Sequence, residues 1–70
     1  MQMIPVSSSN LRAVGYDEAS RTLVINFHHG GSYSYSGVPK SVFDGLLSAG
    51  SKGSYHASHI KHSFPYQRIC

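Results

Sequence analysis

Arg21-Thr22-Leu23-Val24-Ile25-Asn26-Phe27-His28, the turn His29-Gly30-Gly31, and Ser32-Tyr33-Ser34-Tyr35-Ser36 together decide the fold. In the first stretch Leu23, Ile25 and Phe27 alternate with Thr22, Asn26 and His28, the period of two expected of a half-buried strand. Val24 keeps the opposite face from being wholly wet. The glycine-containing turn supplies the positive φ angles that a tight hairpin requires. The strict Ser-Tyr alternation that follows forces Tyr33 and Tyr35 onto one face of the returning strand.

Working outward, Asn10 to Asp17 is apolar enough for a third strand, with Gly15 marking a bulge. Asp17-Glu18-Ala19-Ser20 reads as the turn between it and Arg21, because Asp and Ser side chains satisfy nearby backbone donors. Downstream, the period changes at Gly37-Val38-Pro39. Pro39 suits the first position of a helix running to Ala49. Val42, Phe43, Leu46 and Leu47 form its apolar stripe, and Gly50 is its expected left-handed terminator. Ser51 is placed to cap a second, shorter helical turn towards Ile60. Phe64 to Ile69 closes the chain as an extended edge strand, since it opens with Pro65. The predicted fold class is α+β: a small antiparallel β-meander packed by one main helix, with a short C-terminal helical turn and an edge strand. Leu23, Ile25, Phe27, Val42, Phe43, Leu46 and Leu47 should share one core.

Residues 1–70 are expected to form one domain, because a chain this short has apolar material for one core. Apolar residues make up 40% and charged residues only 13%, too apolar and too weakly charged for disorder. Cys70 is the only cysteine, so no disulfide closes within the chain, and a lone thiol fits a reducing compartment. No run approaches the roughly 20 apolar residues of a membrane span. Met1 to Val6 has neither the basic start nor the apolar stretch of a signal peptide. A cytoplasmic location is the expectation. A core this small often draws support from a second subunit, so a homodimer is expected, through a sheet edge or a helix face.

Six Lys and Arg against three acids give a net charge of +3. From Lys52 to Arg68 there are three cations and three histidines and no acid, a segment suited to phosphate or another anion.

The ordered motifs Val6-Ser7-Ser8-Ser9-Asn10-Leu11, Gly15-Tyr16-Asp17, Arg21-Thr22-Leu23, Tyr33-Ser34-Tyr35, Gly37-Val38-Pro39, Ser51-Lys52-Gly53 and Tyr66-Gln67-Arg68-Ile69 resemble those of the KTSC domain. That family is named for its occurrence at the C-terminus of some lysyl-tRNA synthetases, and it also occurs as stand-alone small proteins of bacteria and phages. The resemblance spans nearly the whole chain. Its functional implication is RNA binding, by association with the synthetase.

Among candidate sites, Tyr33 and Tyr35 offer either a platform for stacking bases or core packing beneath the helix. Ser51, Lys52 and Gly53 follow Gly50 in a turn that suits either a phosphate or simple helix capping. Lys61 and Arg68 complete the candidate ligand-binding set. His56, His59 and His62 are spaced three apart, but two ligands from one helix fall short of the four of a structural zinc site. They read as scattered surface histidines, and no metal or cofactor is expected. No nucleophile elbow or carboxylate pair is present, so no catalytic residue is assigned and the chain reads as a non-enzyme. The leading function is non-catalytic binding of RNA or a nucleotide-like anion. The alternatives are a small bacterial or phage protein that assembles with itself or docks on another protein, and a sponge for a phosphorylated signalling molecule.

Overall fold

The computed structural model describes residues 1–70. Its centre is the hairpin of β3 (Thr22–Phe27) and β4 (Ser32–Tyr35); to keep chain order, β1 is Met3–Pro5 and β2 is Leu11–Asp17. Gly30 and Gly31 turn the β3–β4 hairpin at φ 102° and 88°, angles at which a Cβ would be strained. The β2–β3 turn closes through Asp17, whose Oδ1 accepts the Ala19 N–H at 3.1 Å. Helix α1 (Lys40–Ser48) and a short α2 (Lys52–Tyr55) follow. Without a break, α2 widens into a π turn over His56–Ile60, before the edge strand β5 (Tyr66–Arg68). The five strands lie in chain order, every neighbour antiparallel.

The helices cover one face of this sheet. Leu11, Val14, Leu23, Ile25, Val38, Leu46 and Ile60 are fully buried between the layers, each worth about 1.5–3 kcal/mol relative to exposure. Four of the seven expected core residues, Leu23, Ile25, Phe43 and Leu46, are buried. Val42, Leu47 and Phe27 are half-buried and pack against that cluster. Tyr16 stacks on Phe43 with ring centroids 5.0 Å apart and planes 13° apart, and its hydroxyl donates to the Val38 carbonyl. Tyr55 crosses α1 over Gly45 and donates to the Val42 carbonyl at 3.0 Å.

Several local expectations need correction. The bulge in β2 lies between Leu11 and Ala13, not at Gly15. Gly15 instead lies at a close approach: because β1 runs alongside, a Cβ there would sit 2.6 Å from the sulfur of the flexible Met3 side chain and 3.0 Å from the Gln2 carbonyl oxygen. That strand escaped the sequence reading because Pro5 truncates an already short apolar run. Pro39 is the N-cap of α1 rather than its first helical residue, since its ψ of 150° is extended. Gly50 is not a left-handed terminator. The helix ends at Ala49 in extended geometry (φ −66°, ψ 138°), and Lys52 Nζ donates to the Ala49 carbonyl at 3.1 Å. The Ser51 cap is present: its Oγ accepts the Ser54 N–H at 3.3 Å. No helix is long and apolar enough to cross a membrane.

Candidate ligand-binding site

Alternation along β4 points Tyr33 and Tyr35 at the helical layer, opposite Ile25 and Leu23 of β3. On the other side β5 places Arg68 opposite Tyr33 and Tyr66 opposite Tyr35, so these side chains share the same face. The helical layer does not reach the end of the sheet here. A cavity of about 380 Å³ opens between the two layers. Phe27, Tyr33, Tyr35 and Tyr66 line the sheet side, His56, Ala57 and Gly53 the helical side, and Asn10, His29, Gly30, Lys61 and His62 the remainder.

The rings form a connected set. Phe27 meets Tyr33 edge to face at 5.8 Å and His56 at 5.2 Å. Tyr66 lies 5.8 Å from Tyr33 and 6.0 Å from Tyr35. Such tilted and edge-on pairs suit the ring quadrupoles and leave part of each exposed ring free for a guest. Tyr35 is buried with 3% of its surface exposed, Tyr33 is half-buried, and Tyr66 is 61% exposed. The choice between core and platform is therefore split along one strand: Tyr35 belongs to the core, and both tyrosines border the cavity.

At the cavity's inner end, Tyr35 Oη and His56 Nε2 are 2.8 Å apart. Burial pushes the His56 pKa below 6.5, with a further push from the Lys61 ammonium. Burial also raises the Tyr35 hydroxyl to about 12, with smaller contributions from Tyr33 and Tyr66. Both groups are thus neutral near pH 7, and between them they supply one donor and one acceptor. A π turn begins at His56. Lys61 N–H reaches back five residues to the His56 carbonyl at 2.9 Å, and the extra residue in the turn is accommodated where His56 faces inward. Such π segments recur at functional sites.

Of the candidate residues, Tyr33, Tyr35, Gly53 and Lys61 meet at this cavity. Ser51 and Lys52 border a separate polar cleft of about 200 Å³, which they share with Gly53, Gly50 and Ser7 to Ser9. Arg68 borders neither; its Nε donates to the Cys70 carbonyl at 3.0 Å. Phe27, His56, Tyr66, His62, His29 and Asn10 line the cavity without having been singled out for it. His56 is not a surface histidine: only 7% of it is exposed. A His in the middle of a polar helical run carries no local mark of burial, because its partner Tyr35 lies 21 residues away. No three His, Cys, Asp or Glu side chains converge in the structure.

Residues 7–64 match the model of the KTSC domain. The chain belongs to the KTSC domain family. A crystal structure of a KTSC domain protein from Yersinia pestis superposes with a TM-score of 0.97 at 40% identity, covering 99% of this chain and 97% of that one. A protein of Tsukamurella paurometabola is 44% identical over 62 residues, which is 89% of this chain and 92% of that protein. A lysine–tRNA ligase of Nostoc sp. is 33% identical over 67 residues, 96% of this chain but 12% of the ligase. The KTSC domain is thus found both as nearly the whole of a small protein and as a minor part of a large enzyme. A match to 12% of the ligase carries nothing of the ligase's chemistry.

Proposed function

We propose that the cavity binds one nucleotide unit, free or within single-stranded RNA, without transforming it. One observation carries this reading: an aromatic lining of Phe27, Tyr33, Tyr35 and Tyr66 stands beside Lys61, His62 and His29, with no carboxylate lining the cavity. A base is planar and apolar on its faces, so it stacks on exposed tyrosine rings. A phosphate is anionic, so it favours the Lys61 ammonium and the adjacent imidazoles. The volume falls within the usual range for small-ligand pockets, about 300–1,000 Å³. The relatives named lysine–tRNA ligase are named for tRNA, which brings RNA forward among polyanions as an argument by association only.

Titration by NMR with a mononucleotide, a short single-stranded RNA and inorganic phosphate tests the proposal. Shifts at Tyr33, Tyr66 and Lys61 are expected for the first two ligands. Lys61→Ala should weaken both and flatten the salt dependence by about one phosphate contact. Preference for the mononucleotide over RNA would favour a sponge for a small phosphorylated signal, with the same residues holding the same chemistry. No shift with any of the three ligands would overturn the reading.

A further inference from the structure

The sheet has two open edges, and they are built differently. At the β1 edge, Val6 N–H bonds the Arg12 carbonyl, and the register Ile4↔Val14 and Pro5↔Ala13 then turns residues 3 and 5 outward. Residue 5 is proline and has no N–H, so this edge is blunted. At the β5 edge, Ile69 N–H bonds the Ser32 carbonyl, and the Pro65 carbonyl accepts from Ser36 N–H. Pro65 thus spends its carbonyl inward, where its missing N–H leaves the outer edge untouched. In the register Tyr35↔Tyr66, Ser34↔Gln67 and Tyr33↔Arg68, the backbone N–H and C=O of Tyr66 and Arg68 point away from the sheet. No backbone partner meets them. Tyr66 and Ile69 at this edge are 61% and 52% exposed. The one charged side chain of the strand, Arg68, is folded back towards Cys70, so it does not guard the edge.

This pattern is self-complementary. We propose that two copies of the chain pair antiparallel through β5, with Gln67 on the twofold axis and Tyr66 opposite Arg68 of the partner subunit. In that register the outward groups of Tyr66 and Arg68 exchange both hydrogen bonds with their counterparts on each side of the axis, four bonds in all by symmetry. No other register of this three-residue strand satisfies every outward group. The pairing also reaches the cavity. Tyr66 and Arg68 share the cavity face, so the partner's Arg68 stands directly across from Tyr66, with Cβ atoms about 4.5–5.5 Å apart. In the single chain the Arg68 guanidinium lies over Gly31 with its Nε on the Cys70 carbonyl. Pairing releases it from that contact and brings it across the strand to the mouth of the partner's cavity, beside the most exposed ring of the lining. The dimer stands independently of the nucleotide reading; only the phosphate-binding role given to the partner's Arg68 rests on it.

Gln67 provides a register-specific test. It forms the non-hydrogen-bonded pair with its own copy, with Cα atoms about 4.5 Å apart, within disulfide reach. In a Cys70→Ser background, Gln67→Cys should oxidise to a covalent dimer at least about tenfold faster than Ile4→Cys on the opposite edge, because pairing raises the effective thiol concentration. Under reducing conditions, sedimentation should show a monomer–dimer equilibrium below about 1 mM for the natural chain. Arg68→Pro, which removes one outward N–H at a position where an edge strand tolerates proline, should sediment as a monomer with its melting temperature retained. If that variant does not fold, the crosslinking comparison decides alone. A monomer up to about 1 mM together with equal crosslinking at positions 67 and 4 would overturn the dimer. Arg68→Ala keeps the backbone edge, so it should still dimerise while binding AMP several-fold more weakly. Unchanged AMP affinity in that dimer would overturn the role of the partner's Arg68 and leave the pairing intact, and a dimer that binds no nucleotide would overturn the nucleotide reading alone.

Discussion

Tyr16 and Tyr35 project from the same face of the same sheet, yet they meet the helical layer in opposite ways. Tyr16 lies flat on Phe43 and gives its hydroxyl to the Val38 carbonyl, a fixed backbone acceptor. Around it Val14, Leu23, Val38 and Leu46 are fully buried. Tyr35 gives its hydroxyl to, or takes a proton from, the His56 imidazole, and its neighbours Tyr33 and Tyr66 keep exposed ring surface beside an open cavity. One end of the interface is closed on a backbone carbonyl; the other is left open and held by an imidazole whose pKa burial lowers. The difference assigns stability chiefly to the Tyr16 end and ligand chemistry to the Tyr35 end.

That division is broken most directly at Leu46, fully buried beneath the sealed end. Leu46→Ala should reduce stability by about 2–5 kcal/mol, the range for deleting a buried leucine side chain. Urea or thermal unfolding measures it. A loss below 1 kcal/mol would mean that the sealed end is not what holds the layers together.

At the open end the effects should fall on binding instead. Tyr66→Ala removes a ring that is 61% exposed, so unfolding should change little. Nucleotide affinity should fall by about 1–3 kcal/mol, the range measured for loss of one stacking aromatic. Calorimetric titration paired with a melting curve separates the two. Equal losses in both would show that Tyr66 is structural and would erase the contrast with Leu46.

The sealed end is also sensitive to added volume. A Cβ on Gly45 would run into the Tyr55 ring, whose hydroxyl is held by the Val42 carbonyl. Alanine improves helix propensity by up to about 1 kcal/mol over glycine, whereas overpacking against a tethered ring costs about 1–3 kcal/mol. The clash should win, and Gly45→Ala should lower the melting temperature. Gly45→Ala combined with Tyr55→Phe, which frees the ring to shift, should recover part of the loss. A more stable Gly45→Ala single variant would show that Tyr55 is loosely held.

How far the two ends could be read from sequence follows the same line. The sealed end is written in local periodicities: Leu23 and Ile25 at a spacing of two, and Phe43 and Leu46 on one helical stripe. Either pattern is visible within one element, and the meander follows because glycine-bearing and Asp-bearing turns join adjacent strands. The KTSC resemblance rested on motifs spread along that same framework. The open end depends on pairings across the chain. Tyr66 reaches the cavity only because β5 returns to β4, and His56 faces inward at the end of α2, where the helix passes into a π turn for which no residue in His56-Ala57-Ser58-His59-Ile60 is a local signal. Tyr33 and Tyr35 were legible as a pair on one face, but not their different depths, which depend on where the helical layer stops. Ser51 was legible as a cap, whereas Lys52 was read for its charge and is held by a helix-end carbonyl.

The smallest effect expected, and the one that most directly probes the contact between the two layers, is a pH dependence carried by His56. Its pKa lies below the ordinary 6.5, chiefly from burial and then from Lys61. The folded state therefore resists a proton that the unfolded chain accepts readily. Above about pH 6.5 the imidazole is neutral in both states and the folded state is unpenalised. As pH falls below that value the unfolded state binds more protons, so stability declines until the folded-state pKa is passed. Tyr35 bounds the other side: its hydroxyl is raised to about 12, so stability should hold up to the ordinary tyrosine pKa of 10 and decline as pH rises from there towards 12. Around the imidazole, Tyr35, Phe27 and Lys61 are the groups in contact or in electrostatic reach, and no carboxylate lines the cavity to offset its proton. Melting curves between pH 7.5 and 5 should thus show a loss that His56→Leu abolishes, even though that variant leaves the Tyr35 hydroxyl to find water in the cavity. Tyr35→Phe should keep the slope and lose about 0.5–1.5 kcal/mol at every pH, the net worth of one hydrogen bond. If the His56→Leu slope matches that of the natural chain, the acid sensitivity does not come from His56, and the open end is no more responsive to protons than the sealed one.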